Sequence, residues 1–403
     1  MTALAERLPL ARSTNARRFG AAGIVLGILA FWVSLPPLEQ RSYAWPIILG
    51  VLALAAGAVA IAGGDRRFGW GAVAAALFGM AGGALATRSS LGNLENVFAW
   101  GALFAAMLRY ATPLTFAAIG GLFSERSGVV NIGLEGMMLM GAFFAAWGAD
   151  VTNSWVLGIV IGSAAGGGLA LIHAIVSIHL RADQIVGGTA INFLALGITG
   201  YMFVDVYGSD GTPAELPAIP DVHIPGLSHI PPGQFWHDWF GQLNLMIWLG
   251  FLALIVSYFV VFRTPIGLRL RAVGEHPRAA DTVGISVYGV RYVAVVVSGM
   301  LAALGGAYLS IGFVHSFNQN MTEGKGFIAL AALIFGKWRP GGLFLAALLF
   351  GLSSALAQRL PTYSGSAATL FQTLPYVLTL IAVAGVIGRS IPPAAVGRPY
   401  VKQ

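Results

Sequence analysis

The sequence predicts an all-α polytopic membrane protein, and three observations carry that prediction. Of the 403 residues, 57% are hydrophobic and only 10% are charged, with a mean hydropathy of +0.78. A soluble domain has roughly 45–50% apolar and about 25% charged residues, so a chain this poor in charge cannot cover a water-facing surface. The apolar residues are gathered into runs close to the roughly 20 residues that a helix needs to cross a bilayer. The 54 glycines suit helices that pack backbone to backbone in lipid. The formal charge of +7 forms no dense basic cluster, so nucleic acid is not a partner, and the charge points to topology instead. The absence of cysteine excludes a disulfide framework, a thiolate metal site and a thiol nucleophile.

Taken in order, the apolar runs are 20–35, 45–63, 70–87, 98–122, 132–149, 155–179, 186–205, 245–262, 291–312, 326–336, 341–358 and 371–388, twelve segments. The first follows Arg7, Arg12, Arg17 and Arg18 and ends at Ser34-Leu35-Pro36-Pro37-Leu38, without a small-residue cleavage site; it reads as a retained span rather than a signal peptide. The run 98–122 contains Arg109 and Pro113, so its outer part is open to a second reading, a helix lying along the interface. Arg109 itself is either a pathway charge or an interfacial snorkeller. The run 155–179 carries Gly162-x-x-x-Gly166, a helix-packing motif. The run 326–336 is short enough for a half-helix.

Charge sets the expected orientation. With the N-terminus inside, 18 of the 23 basic residues fall on the inside: Arg7, Arg12, Arg17, Arg18, Arg66, Arg67, Arg126, Arg181, Arg263, Arg269, Arg271, Arg278, Arg291, Lys337, Arg339, Arg389, Arg398 and Lys402. Only four, Arg41, Arg88, Lys325 and Arg359, fall outside. The positive-inside rule therefore favours an even number of crossings with both termini cytoplasmic.

Two loops stand out. Residues 206–244 are long, outside, and rich in Pro, Gly, Asp and aromatics; residues 263–290 are inside and polar. There is also an internal echo. Residues 110–149 run from a helix through the break Ser127-Gly128-Val129-Val130-Asn131 into another helix, and residues 293–336 repeat the pattern around Asn318 to Gly326. Paired broken segments are a mark of transporters built from repeats.

The inside stretch from Arg269 and Arg271 through Glu275, Arg278, Ala279, Ala280 and Asp281 to Ile285 carries the most information. Pro277 suits the first turn of a helix, the two alanines favour it and Gly284 can end it. A short exposed helix of mixed charge either docks into a partner's groove or is a solvated loop. The order Ala279-Ala280-x-x-x-Gly284 resembles the coupling loop of ABC importer permeases, Glu-Ala-Ala-x-x-x-Gly. Arg278 stands where that Glu would be, a departure seen in the branched-chain amino acid, simple sugar and nucleoside permease branch. The stretches Gly121 to Gly136, with its Ser127-Gly128-Val129-Val130-Asn131-Ile132-Gly133-x-Glu135-Gly136, and Gly326 to Trp338 are similar to signatures of the nucleoside-type members.

The resemblance covers roughly residues 100–390. It implies a BtuC-like importer fold with ten core spans and the coupling helix between the sixth and seventh, preceded by two added spans. Residues 1–95 then form an N-terminal tail with extra spans, and 96–403 the permease core. It implies Arg271, Glu275, Arg278, Ala279, Ala280, Asp281 and Gly284 as the contact with ABC ATPase subunits. It also implies a second, unlike permease and an extracytoplasmic solute-binding protein as partners, beside membrane lipid. No Gly-x-x-x-x-Gly-Lys-Ser/Thr loop occurs, since Lys325 and Lys337 lack its context, so this chain does not hydrolyse ATP; the resemblance implies a subunit that is no enzyme and holds no cofactor, with ATP used by a partner subunit.

Backbone freed from a helix at membrane depth costs several kcal/mol per group unless it is satisfied. The break at 123–136 therefore belongs beside packed protein or a cavity. Asn131 is open to two roles, binding a hydroxylated substrate or satisfying the freed backbone, and Glu125 and Arg126 could pair. Glu135, if buried, must find a partner. With Asn192, Asn318 and Phe143, whose ring with those of Phe144 and Trp147 could stack a nucleobase, Asn131 and Glu135 are the candidate pathway. The outer His223, His229 and His237 fit no metal spacing. The alternative is an ion-coupled secondary transporter. It would need a mid-span acid, for which Asp183, Asp205 and Glu135 are poorly placed. A membrane enzyme would need more carboxylates than Asp183 beside His173 and His179.

Overall fold

The computed structural model describes residues 14–34, 42–88, 99–208, 211–213, 215–224, 235–360, 373 and 390–402. Three helices come first: α1 (Thr14–Trp32), α2 (Ala44–Ala62) and α3 (Arg66–Arg88). The next are α4 (Trp100–Arg126), α5 (Leu134–Thr152), α6 (Trp155–Ala174), which continues as a π-helical turn over Ile175–His179, and α7 (Gln184–Tyr207). After a long connection, which holds β1 (Asp221–His223), α8 (Phe235–Phe240) and β2 (Gln242–Asn244), come α9 (Leu245–Arg263), α10 (Pro265–Glu275) and α11 (Pro277–Thr282). Then follow α12 (Val287–Ala307), with a π-helical extension over Tyr308–Val314, α13 (Lys325–Phe335) and α14 (Pro340–Arg359).

Among the described residues, seven segments are long and apolar enough to cross a membrane: Ala44–Ala62, Trp100–Arg126, Trp155–His179, Gln184–Tyr207, Leu245–Arg263, Val287–Val314 and Pro340–Arg359. The chain is thus a multi-pass helical membrane protein. The runs 20–35, 70–87 and 132–149 are also helical, as α1, α3 and α5. The run 326–336 is the 11-residue α13, about 16 Å long at 1.5 Å per residue, half a bilayer. The last run, 371–388, lies outside the described residues except for Thr373, and His229 lies outside them too.

Two compact units emerge. In the first, α1, α2 and α3 pack on one another through small residues. A Cβ added at Gly57 of α2 would sit 3.0 Å from Gly69 O of α3, so the backbones touch. Phe31 of α1 meets Phe78 of α3 edge to face at 5.4 Å, and Arg17 lies over the Phe68 ring.

The second unit, from Phe104 to Ala355 with the C-terminal segment, is built around α4. Every residue from Ala111 to Leu122 is buried. Of the two readings of the 98–122 run, a single helix long and apolar enough to cross a membrane is the one found; it runs unbroken through Pro113, with the hydroxyls of Thr112 and Thr115 donating to Leu108 O and Ala111 O. Against α4 pack α5 and α12, and α6 packs on these two, again in contact through glycine. Added Cβ atoms would meet Gly141 O from Gly162 at 2.7 Å, Gly299 O from Gly166 at 2.8 Å and Pro113 O from Gly305 at 2.7 Å. The Gly162-x-x-x-Gly166 motif is therefore a packing motif, where dispersion contact does the work that hydrophobic exclusion does in water.

At one end of this unit β1 and β2 pair antiparallel, Val222 opposite Leu243, a two-stranded exception to the all-α expectation. Asn244 holds the hairpin to the bundle. Its Nδ2 donates to Ile219 O at 2.9 Å and Gly312 O at 3.2 Å, while its Oδ1 accepts Met246 N–H and caps α9. Arg109 donates to Gln242 O at 3.1 Å, so it serves the hairpin end of the bundle. His237 pairs with Asp238, and no metal-binding cluster occurs among the described residues.

Candidate functional site: a broken helix and a short exposed helix

The polar break between α4 and α5 has its backbone groups satisfied by side chains of its own and of distant helices. Ser124 Oγ donates to Val129 O, and Ser127 Oγ donates to Ser124 O. Distant helices supply the rest. Gln184 of α7 accepts Val130 N–H at 2.7 Å, and His173 of α6 lies 3.1 Å from Val130 O. Asn192 of α7 accepts Gly136 N–H at 2.8 Å and donates to Ile132 O at 3.1 Å. Arg291 of α12 donates to Ser127 O. Seven backbone groups that a continuous helix would have paired internally are thus paired by side chains, as the low dielectric demands.

Asn131 is fully buried and donates to Ser298 Oγ of α12 at 2.9 Å, while its Oδ1 has no hydrogen-bond partner. Its contact is thus a side chain rather than the freed backbone. Glu135 finds its partner on α13: Oε1 accepts Gly324 N–H at 2.8 Å and Oε2 accepts Gly326 N–H at 2.6 Å. A carboxylate at the open first turn of a half-helix satisfies orphan donors and complements the dipole. Gly324, at φ +82°, turns the chain into that first turn, a conformation that glycine takes without strain.

Glu125 and Arg126 do not pair with each other. Both hold Trp338, beyond the far end of α13: Arg126 Nη2 donates to Trp338 O at 2.8 Å, and Trp338 Nε1 donates to Glu125 Oε2. The half-helix α13 is therefore gripped at its start by Glu135 and just past its end by Glu125 and Arg126, the two ends of one broken-helix motif. The first broken segment thus caps and holds the second.

The other two candidate pathway residues lie apart from this group. Phe143 is fully buried in an aromatic cluster, in edge-to-face contact 5.2 Å from the Phe317 ring and 5.3 Å from Phe144. Asn318 is exposed in the loop before α13. The structure brings together Asn131, Glu135 and Asn192 and leaves Phe143 and Asn318 elsewhere. Sequence reading missed Gln184, His173, Ser298 and Arg291 as partners of the break. Arg291 was the legible one: an arginine opening an apolar run, assigned to the inside loop, is in fact buried in α12.

The polar stretch 263–290 forms two helices where one was expected. Thr264 caps α10 and Pro265 starts it; Pro277 starts α11. Gly284, at φ +83°, ends α11, with Gly284 N–H donating to Asp281 O and Ile285 N–H to Ala280 O, both 3.0 Å, the two bonds of a Schellman ending. Glu275, Arg278, Ala279, Thr282, Val283 and Gly284 are exposed, while Ala280 is buried with Val273, Val287 and Tyr400. Arg271 is half-buried, its Nε donating to Gly267 O. The alanine pair thus has two jobs, Ala280 inward and Ala279 outward. Two acids of this stretch are engaged by the C-terminal segment: Glu275 Oε2 accepts Ala394 N–H at 3.1 Å, and Asp281 Oδ2 accepts Tyr400 O–H at 2.9 Å. Burial, and after it the bond to Asp281, raises the Tyr400 hydroxyl above its ordinary range.

The arrangement does no bond chemistry. It presents a small helix of fixed pose outside a bundle whose interior holds two interlocked discontinuous helices. Comparison with known proteins agrees with that reading. The family model described as branched-chain amino acid transport system / permease component matches residues 103–383. The guanosine ABC transporter permease protein NupQ of Bacillus subtilis is 44% identical over 313 residues, 74% of this chain and 95% of its own. The nucleoside ABC transporter permease protein NupC of Lactococcus lactis is 41% identical over 310 residues, 74% of this chain and 96% of its own. The putative glucose ABC transporter permease protein TsgC13 of Haloferax volcanii is 37% identical over 261 residues, 64% and 77%. No solved structure matches. The matched region begins after α3, so α1, α2 and α3 precede it.

Proposed function

This chain belongs to the family of branched-chain amino acid transport system permease components, and on that premise we propose that it is the membrane-spanning subunit of an ABC importer for nucleosides. The observation that carries the mechanism is α11, a single exposed turn-and-a-half clamped by Pro277 at one end and Gly284 at the other, beside a chain without a phosphate loop. We assign Arg271, Glu275, Arg278, Ala279, Ala280, Asp281 and Gly284 to docking of an ABC ATPase, which binds and hydrolyses the ATP. Nucleotide binding there favours one of two arrangements of the bundle, as any ligand shifts a two-state equilibrium by its differential affinity.

The substrate assignment rests on the names of NupQ and NupC, the glucose-named relative being less similar over a shorter stretch. Asn131, Glu135 and Asn192 line up with the discontinuous helices, where transporters of other folds hold their substrates. Phe143 and Asn318 would join them only if α5 and the loop before α13 rearrange during transport. The remaining partners are a second, unlike permease and an extracytoplasmic binding protein. Twelve crossings with both termini in the cytoplasm of a bacterial inner membrane fit the charge distribution. In that topology α13 and the loop before it together make one discontinuous crossing, which returns Lys337 and Arg339 to the inside. The core is then residues 96–403, with ten of the crossings.

The test is ATP-dependent uptake of tritiated guanosine by cells that express this chain with its partner subunits. Gly284→Pro removes the left-handed ending of α11 and is expected to leave insertion and abundance intact while uptake is lost. Normal uptake by that variant counts against docking at α11.

A further inference from the structure

We propose that the C-terminal segment 390–402 is a transmission strap, the element that carries displacement of α11 to the polar break and to the half-helix α13. The inference deepens, and rests on, the assignment of α11 to ATPase docking. The segment has no regular secondary structure, yet it touches all three elements in turn. Ser390 Oγ donates to Ile334 O in the last turn of α13 at 2.9 Å. Ala394 N–H and Ala395 N–H then bond Glu275 Oε2 and Gly274 O, the latter at 2.9 Å, at the end of α10. Gly397 N–H donates to Gly128 O in the break at 3.3 Å. Tyr400 O–H donates to Asp281 of α11, and Lys402 Nζ approaches the same carboxylate at 4.0 Å.

Two residues of the bundle are shaped for this strap. Arg291 is buried and bridges it to the break, with Nε donating to Ser127 O and Nη1 to Arg398 O, both at 3.2 Å. Gly128 stands at φ +95°, and a Cβ there would lie 2.8 Å from Arg291 Nη2 and 3.3 Å from Ala395 O. A side chain at 128 would push the strap off the break. Tyr288 adds a ring edge-on to Tyr400 at 5.6 Å and donates its hydroxyl to Tyr400 O at 3.2 Å. A segment that only tidied the surface would not need a buried arginine and a left-handed glycine to receive it. The strap is hydrogen-bonded at each station, so α11 cannot shift while the break and α13 stay still without breaking several of these bonds.

Tyr400 and Lys402 are positioning residues in this account, and the readout is the stoichiometry of transport. The double variant Tyr400→Phe, Lys402→Ala frees Asp281 while it keeps the ring packed on Tyr288, so folding and assembly are retained. In proteoliposomes that contain the whole complex, tritiated guanosine taken up per ATP hydrolysed is expected to fall at least tenfold. A ratio within twofold of the parent overturns the proposal. The cysteine-free chain also accepts spin labels at Val283→Cys and Val401→Cys, both exposed in the parent. Trapping the ATPase in its closed state is expected to move both labels relative to a third at Val160→Cys, exposed on α6 away from the strap, and to leave their mutual distance unchanged. Movement of the α11 label alone overturns the strap. Gly284→Pro separates the two readings. If it abolishes uptake while the strap variant keeps the parental ratio, only the strap fails; if it transports normally, the docking assignment fails.

Discussion

Replacing Glu135 by Gln tests whether the first broken segment caps the second. The substitution keeps length and shape, but one carboxylate oxygen becomes an amide NH2. Only one of the Gly324 and Gly326 N–H groups, bonded at 2.8 and 2.6 Å, then keeps an acceptor. The other is left buried and faces a donor. A hydrogen bond to a charged group contributes about 1.5–3 kcal/mol, and an unsatisfied buried donor costs about 1–3 kcal/mol. Loss of charge at the α13 N-terminus removes about 0.3–1 kcal/mol more. These terms overlap, and about 3 kcal/mol is the net expectation for opening the first turn of α13, a shift of about two orders of magnitude in the local equilibrium. Hydrogen–deuterium exchange of the chain in nanodiscs reads this directly, because exchange of a locally opening segment follows its opening free energy. Amides at 324–328 are expected to exchange about a hundredfold faster, while those of α12 do not change. Equal exchange in parent and variant would refute the capping account and would leave Glu135 available for a different role.

Asn192→Ala leaves Gly136 N–H and Ile132 O without the partners they have now; two such losses predict about 2–5 kcal/mol of destabilisation, readable as a lower thermal midpoint. Trp338→Phe removes the indole N–H from Glu125 and strands a buried carboxylate, and Glu125→Gln in the same chain is expected to recover most of the loss, a coupling that a double-mutant cycle measures. Gly299→Leu drives a side chain into Gly166 O, which an added Cβ would already approach at 2.6 Å. It is expected to separate α6 from α12 and to cut the folded yield, whereas Gly168→Leu, where an added Cβ meets nothing, is expected to be tolerated.

The long elements were legible because a bilayer imposes length and hydropathy together. The runs 45–63 and 326–336 agree with Ala44–Ala62 and Lys325–Phe335 to within a residue. Gly284 and Pro277 marked the ends of α11 because each acts on the backbone locally, through φ and through the missing N–H. Contacts at long sequence separation were not legible. Nothing near Glu135 announces that its partners are Gly324 and Gly326, and nothing near Trp338 announces Glu125 and Arg126. Adjacent opposite charges suggested a pair, but neighbours on a helix point to different faces, and each side chain reached Trp338 separately. The helix α10 was missed because its buried stripe of Gly267, Leu270, Val273 and Gly274 is interrupted in sequence by Arg269 and Arg271, and the stretch was read as a polar loop. The C-terminal segment offered no periodicity at all, and its role emerges only from its bonds to Gly128, Arg291 and Asp281.

Transport by the reconstituted complex tests the central claim most directly. Proteoliposomes carrying this chain with its ATPase, second permease and binding protein are expected to accumulate tritiated guanosine only when ATP is supplied on the ATPase side and the binding protein is present outside. Accumulation by the purified chain alone, driven by a proton or sodium gradient without ATP, would contradict the account.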